Sequence, residues 1–177
     1  HMVDQPRTPE EGYHLTEDLT DKAIEFIRDA KAISPEKPFF LYYAPGACHA
    51  PHHAPKAWID RFAGQFDVGY EALREETLAR QKQMGIIPQN ARLASKPAAI
   101  KDWDKLTADE KALFAHQMEV FAAFAAQTDY EIGRVIDALE QAGQLDNTVV
   151  VYLEGDNGAS AEGTMQGTTN EVSAQFA

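Results

Sequence analysis

Residues 38–45 read Pro38-Phe39-Phe40-Leu41-Tyr42-Tyr43-Ala44-Pro45, and residues 148–153 read Thr148-Val149-Val150-Val151-Tyr152-Leu153. Neither run alternates apolar with polar residues. Successive side chains of a strand point to opposite faces, so a half-exposed strand alternates. An unbroken apolar and aromatic run suits a strand covered on both faces, as in a parallel sheet. Turn formers bound both runs, Pro45-Gly46 after the first and Asp146-Asn147 before the second.

Working outward, Leu19, Ala23, Ile24, Ile27 and Ala30 recur at helical spacing and predict a helix over 19–33. Thr16 or Thr20 is expected to cap it, and Ser34-Pro35 to stop it. Pro55 opens a short helix through Arg61, and a polar helix is expected from Tyr70 to Met84. Residues 85–106 hold Pro88 and Pro97 and show no period. They are expected to wrap a surface, pinned by Ile86, Ile87, Leu93 and Trp103. Thr107-Ala108-Asp109-Glu110 matches a capping box, in which Thr and Glu satisfy each other's free backbone donors. It opens a long helix to Ala142, stopped at Gly143, with Phe114, Met118, Phe121, Ala125, Ile132, Val135 and Leu139 as its apolar stripe. Strands joined by helices run parallel when they share a sheet. The fold class is therefore α/β: runs 39–44 and 148–153 are expected to be parallel members of one mostly parallel sheet, sandwiched by helices 19–33 and 108–142.

The chain has 177 residues, one domain's worth, and its 44% apolar and 25% charged residues are ordinary for a globular protein. Nine Phe, six Tyr and two Trp supply a core and exclude disorder as the whole answer. Sixteen basic against 28 acidic residues leave a net charge of −12, which argues against nucleic acid and against an anionic membrane surface. No run of 18 apolar residues is present to span a bilayer. The single Cys48 excludes an internal disulfide framework. His1-Met2 has the form of a tag-cleavage scar, so residues 1–14 are expected to be that scar and a polar arm. No signal peptide is visible, and the compartment stays open between bacterial cytoplasm and periplasm.

Two places carry chemistry. Cys48-His49-Ala50-Pro51-His52-His53-Ala54-Pro55 follows the first run, and Gly155-Asp156-Asn157-Gly158 follows the second. In a parallel sheet their carboxyl ends share an edge, and ligands of open α/β sheets bind in the crevice outside it. That puts His49 and Asp156 at one crevice. Each motif also has a plainer reading. Asp-Asn-Gly is above all a turn signal. The three histidines, set between prolines, lack the i, i+4 spacing of a zinc helix. Cys48 has no charged neighbour in sequence to activate it and reads as a small buried residue.

The segment 38–45 followed by His49-x-Pro51-x-x-x-Pro55, then Gly133-Arg134-x-x-x-x-Leu139, Asp146-Asn147-Thr148-x-Val150 and Gly155-Asp156-Asn157-Gly158, resembles the sulfatase family. The likeness is to bacterial arylsulfatases of the alkaline phosphatase superfamily and runs from about Tyr13 to Glu171. It implies a sulfuric ester hydrolase in which a formylglycine, made from Cys or Ser in a C-x-P-x-R motif, attacks the sulfur of a sulfate monoester. A divalent cation, usually calcium, polarises the sulfate oxygens. Asp156 and Asn157 match the family's Asp-Asn metal ligands, and calcium favours such oxygen donors. His49 matches the histidine that contacts the sulfate and the leaving oxygen, a catalytic and substrate-binding role. His52 and His53 match no catalytic position.

The departures are as informative. Cys48 is followed by His-Ala-Pro and does not fit C-x-P-x-R; there is no Asp-Asp pair, and no Lys follows Lys111. Nucleophile, acidic pair and sulfate-contacting lysine are thus missing. Residues 15–177 are expected to be an internal segment of a sulfatase catalytic domain, inactive alone, prone to self-association and weak toward calcium. Two other readings stay open: a related phosphodiesterase or phosphonate hydrolase, which the nucleophile segment of the parent gene would distinguish, and a noncatalytic acidic α/β module.

Overall fold

The computed structural model describes residues 4–155 and 166–168. Its helices are α1 (Leu15–Ile33), α2 (Lys56–Ile59), α3 (Tyr70–Gln83) and α4 (Ala108–Gln141), with 3-10 turns at Pro9–Glu11, Asp60–Phe62, Trp103–Lys105 and Leu145–Asn147. The chain divides into two compact units. The first draws on His1–His49 and Ala125–Ala159, the second on Ala50–Phe124 and Ser160–Ala177. Helix α4 passes from the second unit into the first. Among the described residues no helix is long and apolar enough to cross a membrane.

In the first unit, Ala23, Ile24 and Ile27 of α1 pack against Val135, Ala138 and Leu139 of α4. All but Ala138 belong to the stripes read from the sequence, and removing them from water is what holds the helix pair together. The helix starts four residues earlier than the periodicity suggests, at Leu15, with His14 at the N-cap. Thr16 and Thr20 do not cap it; they are buried within it. The Thr20 hydroxyl donates to the Thr16 carbonyl at 2.8 Å and lies 2.8 Å from the Tyr43 hydroxyl. Helix interiors tolerate Thr when its hydroxyl finds such a back-bond. Arg134 of α4 bridges to Asp21 of α1 and to the buried Glu131, each at 2.6 Å. The sequence marked Arg134 only as part of a motif; the structure gives it the task of neutralising a buried carboxylate.

The capping box forms as read: Thr107 N–H donates to Glu110 at 2.8 Å and Glu110 N–H to the Thr107 hydroxyl at 3.2 Å. At the other end Gly143 takes φ 63°, and Gln144 N–H returns to the Leu139 carbonyl at 2.9 Å. Gly is suited to that left-handed turn because it has no Cβ to clash. The stripe itself needs correction. Phe114, Val135 and Leu139 are buried, but Met118 and Ala125 are exposed. A 34-residue helix serving two units does not keep one face inward along its whole length.

The expected strands are the main difference. Among the described residues neither 39–44 nor 148–153 is a strand, and no backbone hydrogen bond joins them. Both nonetheless keep the period of an extended chain. Phe39, Leu41 and Tyr43 pack on the α1/α4 core, whereas Phe40 is 90% exposed and Tyr42 is exposed too. In the second run Val149, Val151 and Leu153 are more exposed than Val150 and Tyr152. A strand exists through a ladder with its neighbour, and neither run provides one for the other. Helices cover one face of the first run; its other face is bare.

In the second unit, α2 is a single turn entered from Pro55 and continued by the turn at Asp60–Phe62. Helix α3 matches its expected span to within a residue. Of the expected anchors of segment 85–106, Ile86 is exposed and Ile87 is half-buried, and polar contacts add to the apolar ones. Arg74 donates to the Ala94 carbonyl at 2.6 Å, Lys96 pairs with Glu71 and Asp102, and Tyr70 donates to the Lys101 carbonyl. Leu93 and Trp103 are half-buried as expected.

Candidate functional site

His49 lies in the turn that ends the first extended run, in the first unit, with its N–H donating to the Gly46 carbonyl at 2.8 Å. The residue is exposed. The neighbouring Cys48 is half-buried, and burial pushes its thiol up, with the negative charge of Glu154 adding to the push. Glu154 closes the second extended run. Tyr152 in that run is raised by burial, then by Asp129 of α4, by Glu154 and by Cys48. The carboxyl ends of the two runs therefore come within electrostatic reach of each other in the first unit, at Cys48 and Glu154. A thiol raised in this way stays protonated at neutral pH and is a poor nucleophile.

Asp156 and Asn157, the candidate metal ligands, lie outside the described residues. Among the described residues no three His, Cys, Asp or Glu side chains are grouped so as to hold a metal ion. One carboxylate and one amide fall far short of the six to eight oxygens that calcium takes. The described residues of this chain do not by themselves make up a complete calcium site.

The three histidines separate. His52 and His53 belong to the second unit. His52 sets its ring edge-on to Phe121 at 5.5 Å and to Phe124 at 6.3 Å, a packing role on α4. Sequence reasoning passed over Asp129 and Glu154. Glu154 directly precedes Gly155-Asp156 and was legible by position; Asp129 sits among other polar residues of a helix, and nothing in its spacing marks it.

A family model described as Sulfatase matches residues 1–175. An uncharacterised sulfatase of Schizosaccharomyces pombe is 40% identical over 149 residues, covering 84% of this chain and 26% of that protein. An arylsulfatase of Klebsiella aerogenes is 38% identical over 147 residues, covering 82% of this chain and 31% of that protein. An N-acetylglucosamine-6-O-sulfatase of Bacteroides thetaiotaomicron is 27% identical over 187 residues, covering 81% and 33%. The chain thus spans about a quarter to a third of the length of these relatives.

Proposed function

The chain belongs to the sulfatase family, and on that premise we propose that it is part of an arylsulfatase-like hydrolase of sulfate monoesters. The family has an α/β fold of the alkaline phosphatase type, and the runs 39–44 and 148–153 are proposed as two strands of its sheet. The observation that carries the reading is the near-40% identity, over more than four-fifths of the chain, to two sulfatases from a fungus and a bacterium.

In this reading His49, exposed at the end of the first run, binds the sulfate and holds a proton for the leaving oxygen. An imidazole ring has two nitrogens that can donate to an anion and hold or release a proton, which suits that role. Asp156 and Asn157 are proposed as two ligands of a divalent cation, of which calcium fits the oxygen donors best. That cation would supply charge on the sulfate oxygens; its remaining ligands and the formylglycine nucleophile come from outside this chain. Cys48 is not that nucleophile, since it lacks the C-x-P-x-R context and its thiol is pushed up by burial.

The test uses a complete sulfatase whose gene contains this segment, assayed with an aryl sulfate. His49→Ala and Asp156→Ala are each expected to lower kcat by at least about a hundredfold, the usual size of a lost acid–base or electrostatic contribution. The 177-residue chain alone is expected to show no turnover, and its calcium affinity to be millimolar or weaker, the poor end of the known range. Turnover by the isolated chain, or micromolar calcium binding that vanishes in Asp156→Ala, would overturn the assignment of the missing machinery.

A further inference from the structure

Helix α3 has no buried residue, although Tyr70, Leu73 and Leu78 lie on one of its faces. Helical stripes of this kind normally pack against something. Here they line a groove of about 440 Å³ in the second unit, opposite Phe114 and Met118 of α4, with Trp103 as a further wall. That volume is typical of a small-molecule site.

The groove is preformed at its aromatic end. The Trp103 indole lies against Gly69, which takes φ 86° and whose missing Cβ leaves room for the ring; any side chain there would fall onto it. Tyr70 meets the same indole edge-on, with ring centroids 5.3 Å apart at 84°. Flat, fixed aromatic surfaces favour a flat aromatic guest, because neither partner then loses much freedom on binding. Met118 on the facing wall adds a polarisable, adaptable contact.

Charge selects further. Among the described residues, Arg74 is the one charged side chain lining this groove. One of its Nη atoms donates to the Ala94 carbonyl at 2.6 Å, which orients the guanidinium, and among the described residues no carboxylate pairs with it. Lys96, 5.5 Å from the Tyr70 ring centre, is already bound to Glu71 and Asp102. An arginine that pairs with no carboxylate among the described residues, at the edge of an apolar aromatic groove in a chain of net charge −12, is matched by an anion carrying an aromatic ring.

We propose that the groove between α3 and the first half of α4 binds a planar aromatic monoanion, with its ring between Trp103 and Met118 and its acidic group on Arg74. This is a binding site in the second unit, independent of the sulfatase reading and of His49.

The test follows the two indole N–H resonances of the 177-residue chain by NMR, with Trp58→Phe assigning them, during titration with 2-naphthoate, neutral 2-naphthamide and cationic 2-naphthylmethylammonium. Saturable movement of the Trp103 resonance is expected, with naphthoate at least about tenfold tighter than naphthamide, as a charge-assisted contact provides. The cation is expected to be weakest. Met118→Trp, which fills the groove, should abolish binding of all three. Arg74→Gln should erase the naphthoate advantage while leaving naphthamide bound. Should Arg74→Gln also lose naphthamide, Arg74→Lys decides: a retained preference for the anion supports the proposal, and its loss overturns it. The proposal also fails if Trp103 does not respond saturably, if the cation binds as tightly as the anion, or if the resonance moves with protein concentration alone, which would make the groove a contact between copies.

Discussion

Burial raises the Cys48 thiol, and the Glu154 carboxylate raises it further, so two residues more than a hundred positions apart in sequence report on one another. Alkylation by iodoacetamide at pH 7.5 is expected to be slower than for an exposed, unperturbed cysteine, because the thiolate is the reacting form. Glu154→Gln removes the negative charge, lets the thiol ionise more readily and is expected to speed the reaction. An unchanged rate would mean that the ends of the two runs do not meet. Asp102 shows the opposite sign. Its hydrogen bond to Lys105, then that to Lys96, lowers its carboxyl to about 2. A depressed carboxyl contributes stability that is fully present above its unfolded value of about 4 and is lost as pH falls through the folded value near 2. An NMR titration of the Asp102 carboxyl should show this low midpoint, and Lys105→Met should raise it; a midpoint near 4 in the unaltered chain would refute the pairing. His49 was legible as a candidate because a histidine between an unbroken apolar run and a proline is conspicuous. The pairing of Asp102 and the reach of Glu154 were not legible, because charge interactions depend on distance through space.

Helix α1 and helix α4 were readable from periodicity, capping box and terminal glycine, since each of those signals is a local backbone need met by a nearby residue. The runs 39–44 and 148–153 were read as strands covered on both faces; the structure shows a two-residue alternation of exposure and leaves one face uncovered. Their pairing was not, because a ladder is a property of two segments. The first run's two faces should respond very differently to substitution. Leu41 packs on the α1/α4 core, so Leu41→Ala is expected to cost about 2 kcal/mol, the low end for a core truncation at a half-buried position. Phe40 is 90% exposed, so Phe40→Thr should stay within about 0.5 kcal/mol. Urea unfolding of both variants checks the pair. A large loss in Phe40→Thr would show that the outward face is covered in solution. Segment 85–106 teaches the converse point: its anchors were expected to be apolar, whereas Lys96, Arg74 and Tyr70 do much of the pinning through groups that look like ordinary surface residues in a sequence.

Across the whole molecule the first unit leaves Phe40, Tyr42, Val149, Val151 and Leu153 in solvent. Apolar extended edges of this kind template pairing with another chain, and large exposed apolar patches mark contact surfaces. The 177-residue chain is expected to self-associate, with a light-scattering mass that rises with concentration and falls toward that of a single chain in a Phe40→Lys, Val151→Lys double variant. A constant single-chain mass over a wide concentration range would count against this. The sequence by itself determined the family, the main helices and the capping box of α4, and it named candidates at 49, 156 and 157. Each follows from local order and spacing, which the chain carries wherever it goes. Only the tertiary structure decided that Arg134 of α4 bridges to Asp21 of α1, that Cys48 and Glu154 come within reach of each other, that His52 packs on phenylalanines, and that α3 and α4 line a groove in which, among the described residues, Arg74 pairs with no carboxylate. Those facts arise where segments distant in sequence meet, and burial and Coulomb forces act on that spatial neighbourhood alone.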